Sequence, residues 1–107
     1  MARHFFKLQC LPGTEAEYVE RHKRVYPDLL EAFRRVGIRS YSIFMQENRL
    51  YAYMEVDDFD AAMKALATDP ANVRWQEYMK DILVPIGKDG SMMDVVDNEV
   101  FYFEHRT

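Results

Sequence analysis

The sequence predicts an α+β sandwich of order β-α-β-β-α-β, the ferredoxin-like arrangement, with helices on one face of an antiparallel sheet. Three observations predict it. Stretches with period-two apolar alternation and stretches with helical apolar stripes follow one another in that order. Capping and breaking residues stand where one type must give way to the other. The chain has 107 residues, 49% apolar and 30% charged, which suits one globular domain spanning residues 1–107.

The first strand runs from Arg3 to Leu11, where Phe6, Leu8 and Cys10 alternate with Phe5, Lys7 and Gln9. Pro12-Gly13 ends it. Thr14-Glu15-Ala16-Glu17 has the form of a capping box and opens a helix to about Val25. Pro27 suits the first turn of a continuing or restarted helix, whose stripe is Leu29, Leu30, Phe33 and Val36 and whose stop is Gly37. Tyr41–Met45 and Leu50–Val56 read as strands joined by the turn Gln46-Glu47-Asn48-Arg49. Asp57 or Asp58 caps a helix through Ala67, and Asp69-Pro70 opens another bearing Val73, Trp75, Tyr78, Met79 and Ile82. A loose stretch, Pro85–Ser91, leads to a last strand from Val95 to Phe103.

The second faces of these strands are not polar. Tyr51 and Tyr53, Phe5 and Leu11, and Phe101 and Phe103 fall on them. A one-layer sheet with two largely apolar faces is expected to bury the second against another subunit, which predicts a homodimer joined sheet to sheet.

Composition narrows the function. The 14 basic and 18 acidic residues leave a net charge of −4, against nucleic acid as a partner and weakly against anionic membranes. Apolar runs are too short to span a bilayer, and Met1–Lys7 has no secretory apolar stretch. The single Cys10 rules out an internal disulfide and suits a reducing, cytoplasmic setting. Neither a metal-ligand spacing nor a nucleophile elbow is present, so no metal or covalent chemistry is expected.

Among the three histidines, His22 lies four residues after Tyr18, so the two share a helix face. Imidazole is suited to proton exchange near neutral pH, and the flanking Arg21 and Lys23 are expected to favour its neutral form. An exposed histidine on a solvated basic face fits the same spacing. Trp75, the only tryptophan, suits a core anchor or a flat wall for a small ligand. Tyr41 is open to the same choice between core ring and hydroxyl donor.

Taken together, these residues resemble the L-rhamnose mutarotase family almost end to end. The resemblance rests on Glu17-Tyr18-x-x-Arg21-His22, Tyr26-Pro27-Asp28-Leu29, Gly37-x-x-x-Tyr41-Ser42-Ile43-Phe44, Arg74-Trp75-x-x-Tyr78-Met79 and Glu99-Val100-Phe101-Tyr102. It implies a ferredoxin-like sandwich that pairs through its sheets as a dimeric α/β barrel. It implies interconversion of the α and β anomers of L-rhamnose without a cofactor. The family's acid/base histidine falls on His22 and its sugar-binding tyrosines on Tyr18 and Tyr41. Its tryptophan pair falls on Trp75 and Gln76, where this chain departs by carrying a carboxamide in place of the second indole. That departure keeps another 6-deoxyhexose, such as L-fucose, as the alternative substrate. A dimeric α/β-barrel monooxygenase is the alternative on the same architecture.

Overall fold

A computed structural model describes residues 2–105. The strands β1 (Ala2–Gln9), β2 (Ile38–Gln46), β3 (Arg49–Val56) and β4 (Asp94–Val96) form one antiparallel sheet in the order β2-β3-β1-β4. Four α-helices, α1 (Glu15–His22), α2 (Pro27–Arg35), α3 (Phe59–Thr68) and α4 (Pro70–Met79), lie between the strands in the chain. This is the ferredoxin-like order expected from the periodicity, with each crossover helix broken in two.

Register explains which residues form the core. Phe6 stands opposite Ala52 and Leu8 opposite Leu50, while Tyr41 and Ile43 on β2 pair with Met54 and Ala52. Because strand side chains alternate, these share the helix-covered face. One buried cluster gathers Phe6, Ala52, Met54, Val56 and Ala62. A second joins Cys10, Tyr18, Leu29, Leu50, Trp75 and Met79. The opposite parity places Phe5, Phe44, Tyr51 and Tyr53 together on the open face, where Phe44 is 66% exposed.

The breaks have local causes. The α1 helix ends at His22 rather than Val25, since Pro27 offers no N–H to the preceding turn and drives Tyr26 to an extended φ/ψ of −58°/130°. Pro27 then opens α2, and Gly37, at φ 90°, takes the left-handed turn that leads into β2. Asp58 accepts from the Ala61 amide at 3.1 Å and Asp69 from the Ala71 amide at 2.9 Å, the caps expected for α3 and α4.

Two further expectations are corrected. Thr14 makes no capping box: its hydroxyl donates to the Leu11 carbonyl at 2.7 Å, and Glu17 is held by Arg21 at 2.8 Å. The last strand is three residues, not Val95–Phe103. Pairing stops at Val96 opposite Phe5 although β1 continues to Ala2, and beyond it the tail is held by side chains rather than by a ladder. Phe101 and Phe103 are consequently 80% and 71% exposed. The tail is fastened where it leaves the sheet by Arg3, which bonds Glu99 at 2.6 Å and lies 3.3 Å from the Tyr102 ring centroid.

Candidate active site

Between the helices and the sheet lies a cavity of about 780 Å³, and Tyr18, His22, Tyr41, Trp75 and Gln76 all line it. Three elements are needed to bring them together. Tyr18 and His22 come from adjacent turns of α1, Tyr41 from the core face of β2, and Trp75 and Gln76 from α4. The volume falls in the range of roughly 300–1,000 Å³ that small-molecule sites occupy.

His22 is built into an aromatic cage. Its ring stacks on Tyr18 with centroids 4.2 Å apart and meets the edge of Trp75 at 5.3 Å and 90°. Its Nδ1 lies 2.9 Å from the Tyr18 carbonyl oxygen, which fixes the tautomer: Nδ1–H donates there, and Nε2 remains as the acceptor. Burial holds the imidazole below the ordinary histidine range, with the Tyr18 carbonyl opposing it. The neighbouring cations are not the cause, contrary to the sequence expectation. Arg21 is spent on Glu17 and Asp81, and Lys23 turns to Glu20 at 3.3 Å.

The two tyrosines complement the histidine. Burial pushes the Tyr41 hydroxyl up to about 12. Tyr18 is raised further, first by burial and then by Tyr41 and Cys10, so the two phenols sense each other. Both therefore remain protonated hydroxyls at neutral pH. Among the described residues neither hydroxyl has a hydrogen-bond partner, and neither is sealed from solvent. Hydroxyls left unpaired on an otherwise apolar wall are prepared for a polar ligand.

Trp75 is both buried and on the cavity wall. At 7% exposure it anchors the core, and its ring also lines the cavity, fixed on its other side by Tyr26 edge-on at 5.2 Å. Gln76 is exposed and its Nε2 donates to Asn72 Oδ1 at 3.5 Å. Asn72, a wall residue not foreseen, donates in turn to the Leu66 carbonyl at 3.0 Å. Its spacing from Trp75 and Gln76 on α4 was the available signal. Met92 and Met93 also line the cavity, and nothing in the sequence pointed to them. A tight turn delivers them: a Cβ on Gly87 would lie 2.0 Å from the Met93 carbonyl oxygen.

Among the described residues no three His, Cys, Asp or Glu side chains cluster as a metal site, and no helix is long and apolar enough to cross a membrane. Together the sandwich and its cavity define a ferredoxin-like α+β protein with an aromatic-walled cavity on which an imidazole and two phenol hydroxyls converge. Residues 3–103 match the sequence profile of L-rhamnose mutarotase, and the chain belongs to that family. The L-rhamnose mutarotase of Opitutus terrae is 33% identical over 106 residues, covering 97% of this chain and 100% of the relative. The crystal structure of an L-rhamnose mutarotase from Formosa agariphila is similar at TM-score 0.80 and 30% identity, over 97% of this chain and 100% of that one. Tetracenomycin F2 cyclase from Streptomyces glaucescens, at TM-score 0.65 and 21% identity over the full length of both chains, shares the fold.

Proposed function

We propose that His22 carries the proton as this chain interconverts the α and β anomers of L-rhamnose, with Tyr18 and Tyr41 binding sugar hydroxyls and Trp75 and Gln76 completing the wall. The reaction follows from family membership and makes the chain an isomerase acting on a carbohydrate. The observation that carries the residue assignment is the convergence of a neutral imidazole and two unpartnered phenols on one cavity.

The chemistry needs little more. Nε2 of His22 removes the proton from the anomeric hydroxyl and returns it to the ring oxygen as the C1–O5 bond breaks, leaving an open-chain aldehyde. Rotation about C1–C2 presents the other carbonyl face. The steps then reverse, O5 losing its proton to Nε2 as it attacks C1 and the new anomeric oxygen taking it back. Nothing is oxidised, and the histidine ends as it began. Positioned acid–base help of this kind is worth about 10²–10⁴-fold. Trp75 offers a flat apolar surface to the sugar's C–H face and its 6-methyl group.

The test is anomer exchange followed by NMR saturation transfer. Substituting His22→Gln should remove about 10²-fold or more of the acceleration while leaving the fold intact. A variant exchanging at the wild-type rate would refute the assignment of His22.

Gln76 supports a second reading of the substrate, since its carboxamide places a hydrogen-bonding group where the family has an indole. L-fucose is then the sugar to compare, and a higher kcat/KM for it than for L-rhamnose would favour this reading. The proposed functional unit is the whole chain as one domain, acting in the cytoplasm, where a free buried Cys10 is at home. It is also a homodimer joined through the open sheet face, for which Phe5, Phe44, Tyr51 and Tyr53 supply apolar surface.

A further inference from the structure

We infer that Arg21 is a positioning residue for His22, clamping α1 to the end of α4 so that the imidazole is held against Trp75; this rests on His22 being the proton carrier.

The α1 helix cannot hold His22 by itself. It has eight residues and no side-chain cap at its N-terminus, and a helix that short has no appreciable stability outside its tertiary contacts. His22 is its last residue, at the end most prone to fray. The next element begins only at Pro27, after a turn.

Arg21 supplies the missing hold. Its Nε donates to Glu17 at 2.8 Å, its Nη1 to the Tyr78 carbonyl at 2.7 Å and to Asp81 at 2.9 Å, and its Nη2 to Asp81 at 3.2 Å. The guanidinium also lies 4.4 Å from the Tyr78 ring centroid, and the side chain is only 11% exposed. The Tyr78 carbonyl belongs to the last turn of α4, whose carbonyls lack helical partners and attract a cation. A planar fork meets a carboxylate and a carbonyl together, which a lysine cannot reproduce.

The geometry links this clamp to catalysis. Arg21 is the residue before His22, and Tyr78 lies one helical turn beyond Trp75 on α4. The clamp therefore spans the same gap as the contact of His22 with Trp75, 5.3 Å away. Arg21 itself does not line the cavity, so its influence on the reaction passes through His22.

The test uses Arg21→Lys, Asp81→Asn and Asp81→Glu in the full chain, with His22→Gln alongside. Asp81 is 65% exposed, so its isosteric change to Asn removes a charge with little packing. A displacement of about 1 Å can cost about 10²-fold in rate, and the smaller shift expected here should lower kcat about 3- to 10-fold in Arg21→Lys and Asp81→Asn. KM should stay within about twofold, because Tyr41 is supplied by the sheet and Tyr18 lies a full turn in from the end of α1. Asp81→Glu should restore most of the rate. Fluorescence and near-UV circular dichroism of Trp75, the sole indole, should shift in the first two variants and not in the third. Wild-type kcat in both clamp variants overturns the inference, as does a rate loss that vanishes well below their unfolding temperatures. His22→Gln separates the two levels. If it is inactive while the clamp variants are fast, only the clamp fails; if it exchanges anomers normally, the proton-carrier reading fails with it.

Discussion

Replacing Tyr41 by Phe separates what this residue does for the fold from what it does for the sugar. The ring packs 5.9 Å from Phe6 and 5.7 Å from Phe33, and Phe preserves both contacts. The hydroxyl, by contrast, has no protein partner among the described residues, and burial has already raised its pKa to about 12. Folding therefore loses no hydrogen bond in the variant and no longer strips water from a polar group. The unfolding temperature should stay put or rise by a few degrees, since about 1 kcal/mol corresponds to about 4–8 °C in a domain near this size. Sugar binding loses a neutral hydrogen bond worth about 0.5–1.5 kcal/mol, so kcat/KM should fall about 2- to 12-fold. The assay pairs thermal unfolding with anomer exchange at several sugar concentrations. A variant that loses more than about 5 °C while keeping wild-type kcat/KM would show that the hydroxyl serves the fold, and the site assignment would be wrong.

Three further predictions follow from the geometry. The acid limb of the kcat profile should lie below pH 6.5, because burial lowers the His22 pKa and activity needs neutral imidazole. The unfolded chain binds this proton more readily, so stability should also fall as pH drops from 6.5 towards the lowered folded-state value; a histidine NMR titration at or above 6.5 would contradict both. Asp69→Ala should cost about 1 kcal/mol, or about 4–8 °C, through the lost cap on the Ala71 and Asn72 amides, and an unchanged melt would discount the cap. Phe44→Glu, on the open face and 66% exposed in one chain, should shift a dimer to monomer in sedimentation; an unchanged sedimentation profile would discount this face as the interface.

The order of elements was legible because β3 keeps a strict two-residue period and β2 keeps one from Tyr41 onward, and Asp58, Asp69 and Gly37 mark boundaries with local chemistry. Residues that act only at a distance were not legible. The Thr14 motif promised a capping box, yet the preceding turn brings the Leu11 carbonyl within 2.7 Å of the hydroxyl, and the nearer acceptor wins. The alternation after Val96 is real, but the ladder with β1 stops at Phe5, and alternation alone does not show where backbone pairing ends. The candidate site was assembled from resemblance more than spacing: Tyr18 and His22 share a helix face, whereas Tyr41 and Trp75 join them only through the fold. The neutral state of His22 was expected correctly for the wrong reason. Neighbours in sequence are cations, but both are paired elsewhere, and desolvation does the work.

The same prolines that interrupt the helices also shape the cavity. A continuous helix from Thr14 to Val36 would present one straight stripe to the sheet and leave no bend for a ring to enter. Pro27 breaks it, and the extended Tyr26 before the break turns its ring edge-on to Trp75. Asp28, one residue after, bonds Arg74 at 2.6 Å, so the break on one side of the cavity is tied to the residue beside the indole on the other. Asp69-Pro70 performs the equivalent service for α4, where the cap sets the start of the helix carrying Asn72, Trp75 and Gln76. The motifs that look scattered along the chain are therefore two sides of one joint, and the joint holds an aromatic wall around a histidine that has no rigid helix of its own.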